Sequence, residues 1–135
     1  MNEEWRAQAK KLMRNIACST AEGMGATCNF RINDGYPVLY NDEAVTKKAR
    51  KAAVRLLGKE HVVEMGIRMT CEDFAYYSLK YPVTFFRLGV KDPTSEEIKP
   101  VHSSRFDVDE SAILTGIRAL SYIALSLLKD KQPAS

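Results

Sequence analysis

The sequence predicts an α/β protein with three layers, in which helices cover a sheet. Segments with helical and with strand periodicity alternate, and after Gly35 their order is helix, strand, short helix, strand, helix. Residues 84–90 are apolar almost without interruption, which is typical of a strand covered on both faces. Residues 112–128 are apolar nearly all round, which indicates a buried helix. Together these observations favour a sheet inside a helical cover.

Length and composition indicate a soluble, folded chain. The 135 residues are enough for one domain, and 45% apolar with 27% charged residues is ordinary for a globular protein. A net charge of +3 is too small to indicate a nucleic-acid partner. The apolar segment 112–128 contains Arg118 and is shorter than the roughly 20 residues that a membrane span needs. We therefore expect neither nucleic acid nor membrane as a partner.

Cysteine and histidine are scarce in the chain. The three cysteines show no C-x-x-C spacing and cannot all pair, which favours a reduced, cytoplasmic setting. The acidic N-terminus is unlike a signal peptide. The two histidines, His61 and His102, are too few for a complete zinc site of the usual type.

The first third of the chain predicts a helix and then an exposed strand. Apolar residues recur at steps of three and four over 2–22, and Gly23 and Gly25 end the helix. Residues 26–33 alternate between apolar and polar side chains, as in an antiparallel strand with one wet face. The turn signal at Asp34 and Gly35 marks a boundary between two packing units.

The next helix is predicted to begin at Asn41 as its N-cap and to end at Gly58. One of its faces is basic, which admits either a nucleic-acid patch or a solvated surface. The solvated surface is the better interpretation because no aromatic residues interleave for stacking on bases. The basic residues of this face are Lys47, Lys48, Lys51 and Arg55.

The remaining elements are a strand at 61–65, a short helix, a strand at 84–90 and a final helix. Thr70 and Asp73 resemble a reciprocal cap for the short helix. Asp107 or Asp109 is predicted to cap the final helix, which ends near Lys129.

Few side chains offer chemistry. His102 lies in a long loop between a predicted strand and a predicted helix, where α/β proteins place their sites, although a loop histidine is more often plain surface. Glu72 and Asp73 either cap a helix or reach into a cleft, and capping is the more common role. Cys71 with His102 as its base would be a thiol hydrolase, but the two neighbouring carboxylates oppose thiolate formation.

Three segments resemble one family: GYPVLYND at 35–42, MTCEDFAYY at 69–77 with FFRLGV at 85–90, and HSSRFDVDE at 102–110. In order and spacing they are similar to the C-terminal portion of metal-dependent amidohydrolases of the aminoacylase and carboxypeptidase superfamily, in the branch of hippurate and indole-acetyl-amino-acid hydrolases. The resemblance implies an α/β catalytic domain interrupted by an α+β lid that forms the homodimer. It assigns residues 1–34 to the end of the lid, with its edge strand, and 35–135 to the C-terminal part of the catalytic domain.

The resemblance also implies a function. Such proteins hydrolyse the amide bond of N-acyl amino acids or small peptides with one or two metals, commonly zinc or manganese, and a glutamate as general base. The position of His102 implies a metal ligand, and Glu72 falls in the segment near the active-site cleft. The other ligands and the general base have no counterpart in this chain. We therefore expect a fragment that is inactive alone, with a non-catalytic remnant serving as a dimerisation or interaction module as the alternative.

Overall fold

A computed structural model of the chain describes residues 2–129. Helices account for 48% of the structure, and the described residues contain no strand. The chain divides into two compact units, one of Met1–Tyr40 with Arg68–Tyr81 and one of Asn41–Ile67 with Pro82–Ser135. The helices are α1 (Glu3–Gly23), α2 (Glu43–Leu57), α3 (Ala75–Ser78) and α4 (Ser111–Lys129), with a 3₁₀ turn at Lys59–His61.

The predicted α/β fold with its three layers is therefore wrong. Residues 26–33 and 84–90 lie outside any sheet, and the predicted strand at 61–65 begins in the 3₁₀ turn. A strand exists only when a neighbouring strand pairs with its backbone N–H and C=O groups. Alternating apolar and polar side chains indicate that one face of the segment is apolar. They do not show that a second strand is present to pair with it. The division into a lid segment, 1–34, and a catalytic segment, 35–135, stays a prediction.

In the first unit, α1 is fixed at its N-terminal end. The Asn2 side chain accepts hydrogen bonds from the backbone N–H groups of Glu4 (2.8 Å) and Trp5 (3.2 Å), as an N-cap does. Arg6 donates to the Tyr36 carbonyl oxygen at 3.1 Å, and Glu3 accepts from the Val38 N–H at 2.9 Å. These bonds hold residues 35–38 beside the first turn of α1.

In the second unit, α2 and α4 pack against each other. Ala49 and Ala52 of α2 and Ile123 of α4 are buried together, with Ala53 and Leu127 beside them. Small alanine side chains allow the two helices to approach closely, so one isoleucine fills much of the space between them.

The cap of α2 lies one residue later than the sequence indicated. Asp42, not Asn41, accepts the hydrogen bond of the Val45 N–H, at 2.8 Å. Asn41 instead bonds both backbone groups of Phe85, accepting from its N–H at 2.7 Å and donating to its carbonyl at 2.9 Å. An asparagine amide can do this because it carries a donor and an acceptor side by side. Asn41 thus satisfies part of the backbone of the segment that was predicted to be a strand.

The predicted cap of the short helix is also wrong. Helix α3 begins after Phe74, whose side chain makes no capping hydrogen bond. Of the two residues predicted to cap α4, Asp109 does accept a hydrogen bond from the backbone N–H of Ser111, at 3.0 Å. Helix α4 is described as far as Lys129, the last residue that the structure describes.

Helix α4 is buried on one face only. Ala112, Ala119 and Ile123 are buried, whereas Ile117 and Leu120 are about three-fifths exposed at 59% and 61%. By length and composition alone this helix could cross a membrane, although core helices pass the same test. The prediction of a helix buried all round is therefore wrong, because most of the large apolar side chains of α4 are exposed.

The position of Gly58, at the end of α2, requires a residue without a side chain. Its φ of 94° and ψ of 153° lie where essentially only glycine is found, and a Cβ there would approach the Glu60 carboxyl carbon to 2.8 Å. We expect Gly58→Ala to lower the free energy of unfolding by about 1–3 kcal/mol, measured by urea denaturation. Gly89→Ala is the matched control, because a Cβ at Gly89 meets nothing within 4 Å. Equal stability of the two variants would contradict the assignment of strain to Gly58.

Candidate functional site

Residues 97–110 form the loop that carries His102, and hydrogen bonds hold its C-terminal end and its centre. At the C-terminal end, the Asp109 N–H donates to the Val90 carbonyl oxygen at 2.9 Å. Within the loop, the Ser103 hydroxyl donates to the Pro100 carbonyl at 2.8 Å, and the Phe106 N–H donates to the Ser103 carbonyl at 3.1 Å. The chain therefore makes a tight turn around His102.

Two ion pairs cross this loop. Lys99 Nζ lies 2.9 Å from Asp107 Oδ2, and Arg105 pairs with Glu97. The pKa of Asp107 is lowered, first by the hydrogen bond from Lys99 and then by that from the Val108 N–H. The hydrogen bond with Asp107 likewise raises the pKa of Lys99, so both groups are charged at neutral pH. Pairs this exposed add little stability, but together they restrict the loop.

His102 has an unusual backbone conformation. Its φ is 65°, and it is the only non-glycine residue with positive φ in the described range 2–129. An L-residue in this left-handed region costs about 1–2 kcal/mol relative to the right-handed one, although histidine tolerates it better than most. Its side chain is exposed. Strained residues of this kind are often found at functional sites, and the ligand role of His102 stays a prediction.

Glu72 and Cys71 belong to the first unit, whereas His102 belongs to the second. Glu72 is half-buried, and its carbonyl oxygen accepts from the Ala75 N–H at 3.2 Å as α3 begins. Cys71 is exposed. The roles suggested for Glu72 and for a Cys71–His102 pair stay predictions.

The donors present do not make up a metal site by themselves. Among residues 2–129, no three histidine, cysteine, aspartate or glutamate side chains are grouped closely enough to hold an ion. His102 offers one imidazole, and the nearby carboxylate of Asp107 is engaged by Lys99. A catalytic zinc site needs three protein ligands, so this chain alone does not fit the group that the resemblance implies.

Sequence reasoning missed the ion pairs that restrict the loop. Lys99 and Asp107 are eight residues apart, and so are Glu97 and Arg105. Opposite charges at equal separation on both sides of a turn were a usable signal. This spacing follows neither the helical nor the strand period, so periodicity alone does not reveal the two ion pairs.

Comparison with known proteins identifies the family. The family model for peptidase family M20/M25/M40 matches residues 4–126. Thermostable carboxypeptidase 1 of Saccharolobus solfataricus is 35% identical over 126 residues, which cover 93% of this chain and 31% of that protein. IAA-amino acid hydrolase ILR1-like 6 of Arabidopsis thaliana is 32% identical over 81% of this chain and 24% of its own length. N-acetyldiaminopimelate deacetylase of Lactobacillus acidophilus is 32% identical over 84% of this chain and 28% of its own.

These curated relatives are much longer than the chain, which spans 31% of the carboxypeptidase and 24% of the plant hydrolase. No solved structure gives a significant match. The family model nevertheless covers almost the whole sequence, and it includes both Glu72 and His102. The chain belongs to peptidase family M20/M25/M40.

Proposed function

We propose that this chain is part of a hydrolase that cleaves the amide bond of N-acyl amino acids or small peptides, with His102 as one metal ligand. The observation that carries the proposal is the conformation of His102, which is held at a φ of 65° in a turn closed by the Ser103 and Phe106 hydrogen bonds. The relatives support the reaction class, since their names describe a carboxypeptidase, an amino acid conjugate hydrolase and a deacetylase.

The described residues supply only part of the proposed metal site. His102 supplies one donor, and in this proposal the other ligands and the general base belong to a part of the protein that this sequence does not include. Members of the family generally depend on a metal, and zinc or manganese is our proposal for its identity. When bound, such an ion supplies an activated water and polarises the substrate carbonyl. The contribution of this chain is to present one imidazole from a turn whose backbone is held by hydrogen bonds.

Grafting tests the proposal directly. The matching 126 residues of the Saccharolobus carboxypeptidase are replaced by the corresponding part of this chain, and hydrolysis of N-benzoylglycine and of short peptides is measured. We expect turnover that a chelator abolishes and that zinc or manganese restores. Failure of a folded graft to hydrolyse either substrate class in the presence of metal would contradict the proposal.

The isolated chain provides the complementary measurement. We expect no turnover of the same substrates with either metal present, because residues 2–129 bring no three ligands together. Chelator-sensitive hydrolysis by the purified chain would show that it holds a complete site after all.

Self-association is a separate proposal. Residues 26–33 lie outside any helix or sheet, and neighbouring α1 exposes Trp5 (69%) and Ile16 (67%). We propose that this region forms a homodimer contact, since exposed apolar patches commonly mark interfaces. Sedimentation velocity should show a dimer that Ile16→Glu dissociates, while Ile98→Glu, at an equally exposed position (76%) in the second unit, leaves it intact. A monomer at all concentrations would contradict the proposal.

A further inference from the structure

Cys18 and Cys28 lie beside each other in the first unit. Cys18 is in the second half of α1, and its thiol is 3.9 Å from the carbonyl oxygen of Cys28, ten residues later. Both residues are half-buried free cysteines. No spacing rule indicates such a pair, because the chain has to reverse its direction between them.

The reversal is built from backbone groups alone. The N–H groups of Met24 and Ala26 donate to the Ala21 carbonyl at 3.1 and 2.9 Å, and the Gly25 N–H donates to Glu22 at 2.9 Å. Gly25 has a φ of 75°, which suits the left-handed residue that ends a helix. The turn therefore brings the two cysteines together without help from the thiols.

Cys18 also affects the ionisation of Cys28. The pKa of the Cys28 thiol is raised, first by desolvation and next by its hydrogen bond with Cys18. The Cys18 sulfur lies 3.9 Å from the Cys28 carbonyl oxygen, so the two cysteines already occupy neighbouring positions in the folded chain.

We propose that Cys18 and Cys28 form a reversible disulfide bond when the protein meets a low-molecular-weight disulfide. In the first step one cysteine thiolate attacks the reagent disulfide, so a mixed disulfide forms and one reagent thiol leaves. The second cysteine then loses its proton, and its thiolate attacks the protein sulfur of that mixed disulfide and expels the second reagent thiol. The two cysteines are oxidised by two electrons in total, and the reagent is reduced to two thiols.

The bond would tie α1 to segment 26–33, which follows it in the chain. It closes a loop of about ten residues, whose backbone is already folded by the turn at Ala21–Ala26. Closing the loop therefore costs little conformational entropy in the folded protein. In the unfolded chain the cost is higher, because the two thiols meet only by chance. This difference is what the experiment measures.

The test uses the full chain with Cys71→Ser, which leaves only Cys18 and Cys28 as thiols. The protein is equilibrated with mixtures of reduced and oxidised glutathione, quenched with acid and digested with trypsin without reduction. Cleavage after Arg14 and Arg31 gives one peptide, 15–31, that contains both cysteines. Mass spectrometry then separates the peptide that has lost two hydrogen atoms from the peptide that carries one or two glutathiones.

We expect the peptide lacking two hydrogens to predominate, and added dithiothreitol to reverse it. The same equilibration in guanidinium chloride provides the matched control. Since the fold holds the thiols together, we expect the effective concentration of one thiol at the other to be at least about tenfold higher in the folded chain. Glutathione on the separate cysteines as the main product, or equal effective concentrations with and without denaturant, would overturn the proposal.

Discussion

In the grafted hydrolase, His102→Ala is expected to lower kcat/KM for N-acyl amino acids by about 100-fold or more, because one metal ligand is lost. Changes in the groups that only support a ligand already cost 10–100-fold in metal affinity or activity, so loss of the ligand itself should cost at least as much. Excess metal should recover part of the activity if weakened binding is the cause. The measurement is steady-state hydrolysis at several concentrations of zinc or manganese.

His61→Ala is the matched control for this prediction. The chain has only these two histidines, and the His61 side chain is 69% exposed at the end of the 3₁₀ turn. Removing it deletes the same chemical group from a position to which no site is assigned. We expect its kcat/KM to stay within about twofold of the unmodified graft, as is usual for surface substitutions.

A second variant separates the imidazole from the backbone strain. Asparagine tolerates positive φ better than most residues, so His102→Asn keeps the turn but removes the imidazole. We expect it to lose as much activity as His102→Ala. Full activity of His102→Asn would show that the turn matters and the imidazole does not, which would contradict the ligand role.

The helices could be predicted from the sequence because the forces that form them are local. The Asn2 cap, the apolar spacing along α1 and the glycine at position 58 all act within a few residues. Even the error at the start of α2 is one residue, because Asn41 and Asp42 are both good caps and only the contact with Phe85 decides between them.

The strands could not be predicted in the same way. Residues 84–90 have the composition of a covered strand, yet in the described structure their backbone meets the Asn41 amide and the Asp109 N–H instead of another strand. The residue composition of a segment indicates its preference for an extended backbone. Whether that segment becomes a strand depends on a second segment, elsewhere in the chain, that pairs with it. For this reason the predicted fold class is wrong.

The candidate site was partly accessible from the sequence. Resemblance pointed to His102, and its positive φ is an independent sign of a special position. The partners of Lys99 and Arg105 and the approach of Cys18 to Cys28 were not accessible, because each depends on a turn whose geometry no periodicity describes.

The other large effect concerns stability. Ile123→Ala is expected to lower the free energy of unfolding of the second unit by about 2–4 kcal/mol, since it empties the space between α2 and α4. Ile123 is 5% exposed and packs against Ala49 and Ala52, which are too small to fill the cavity left behind. A loss of this size is a large part of the roughly 5–15 kcal/mol that holds a domain together. Urea denaturation followed by circular dichroism measures it, with a lower midpoint as the result.

Ile113→Ala in the same helix distinguishes packing from helix propensity. Ile113 is 55% exposed, and the same exchange there removes the same atoms without opening a cavity. Alanine also favours the helix more than isoleucine does, so we expect Ile113→Ala to be neutral or slightly stabilising. The difference between the two variants therefore isolates the contact between α2 and α4. Equal midpoints would mean that this contact does not hold the second unit together, and the core assigned to Ala49, Ala52 and Ile123 would have to be abandoned.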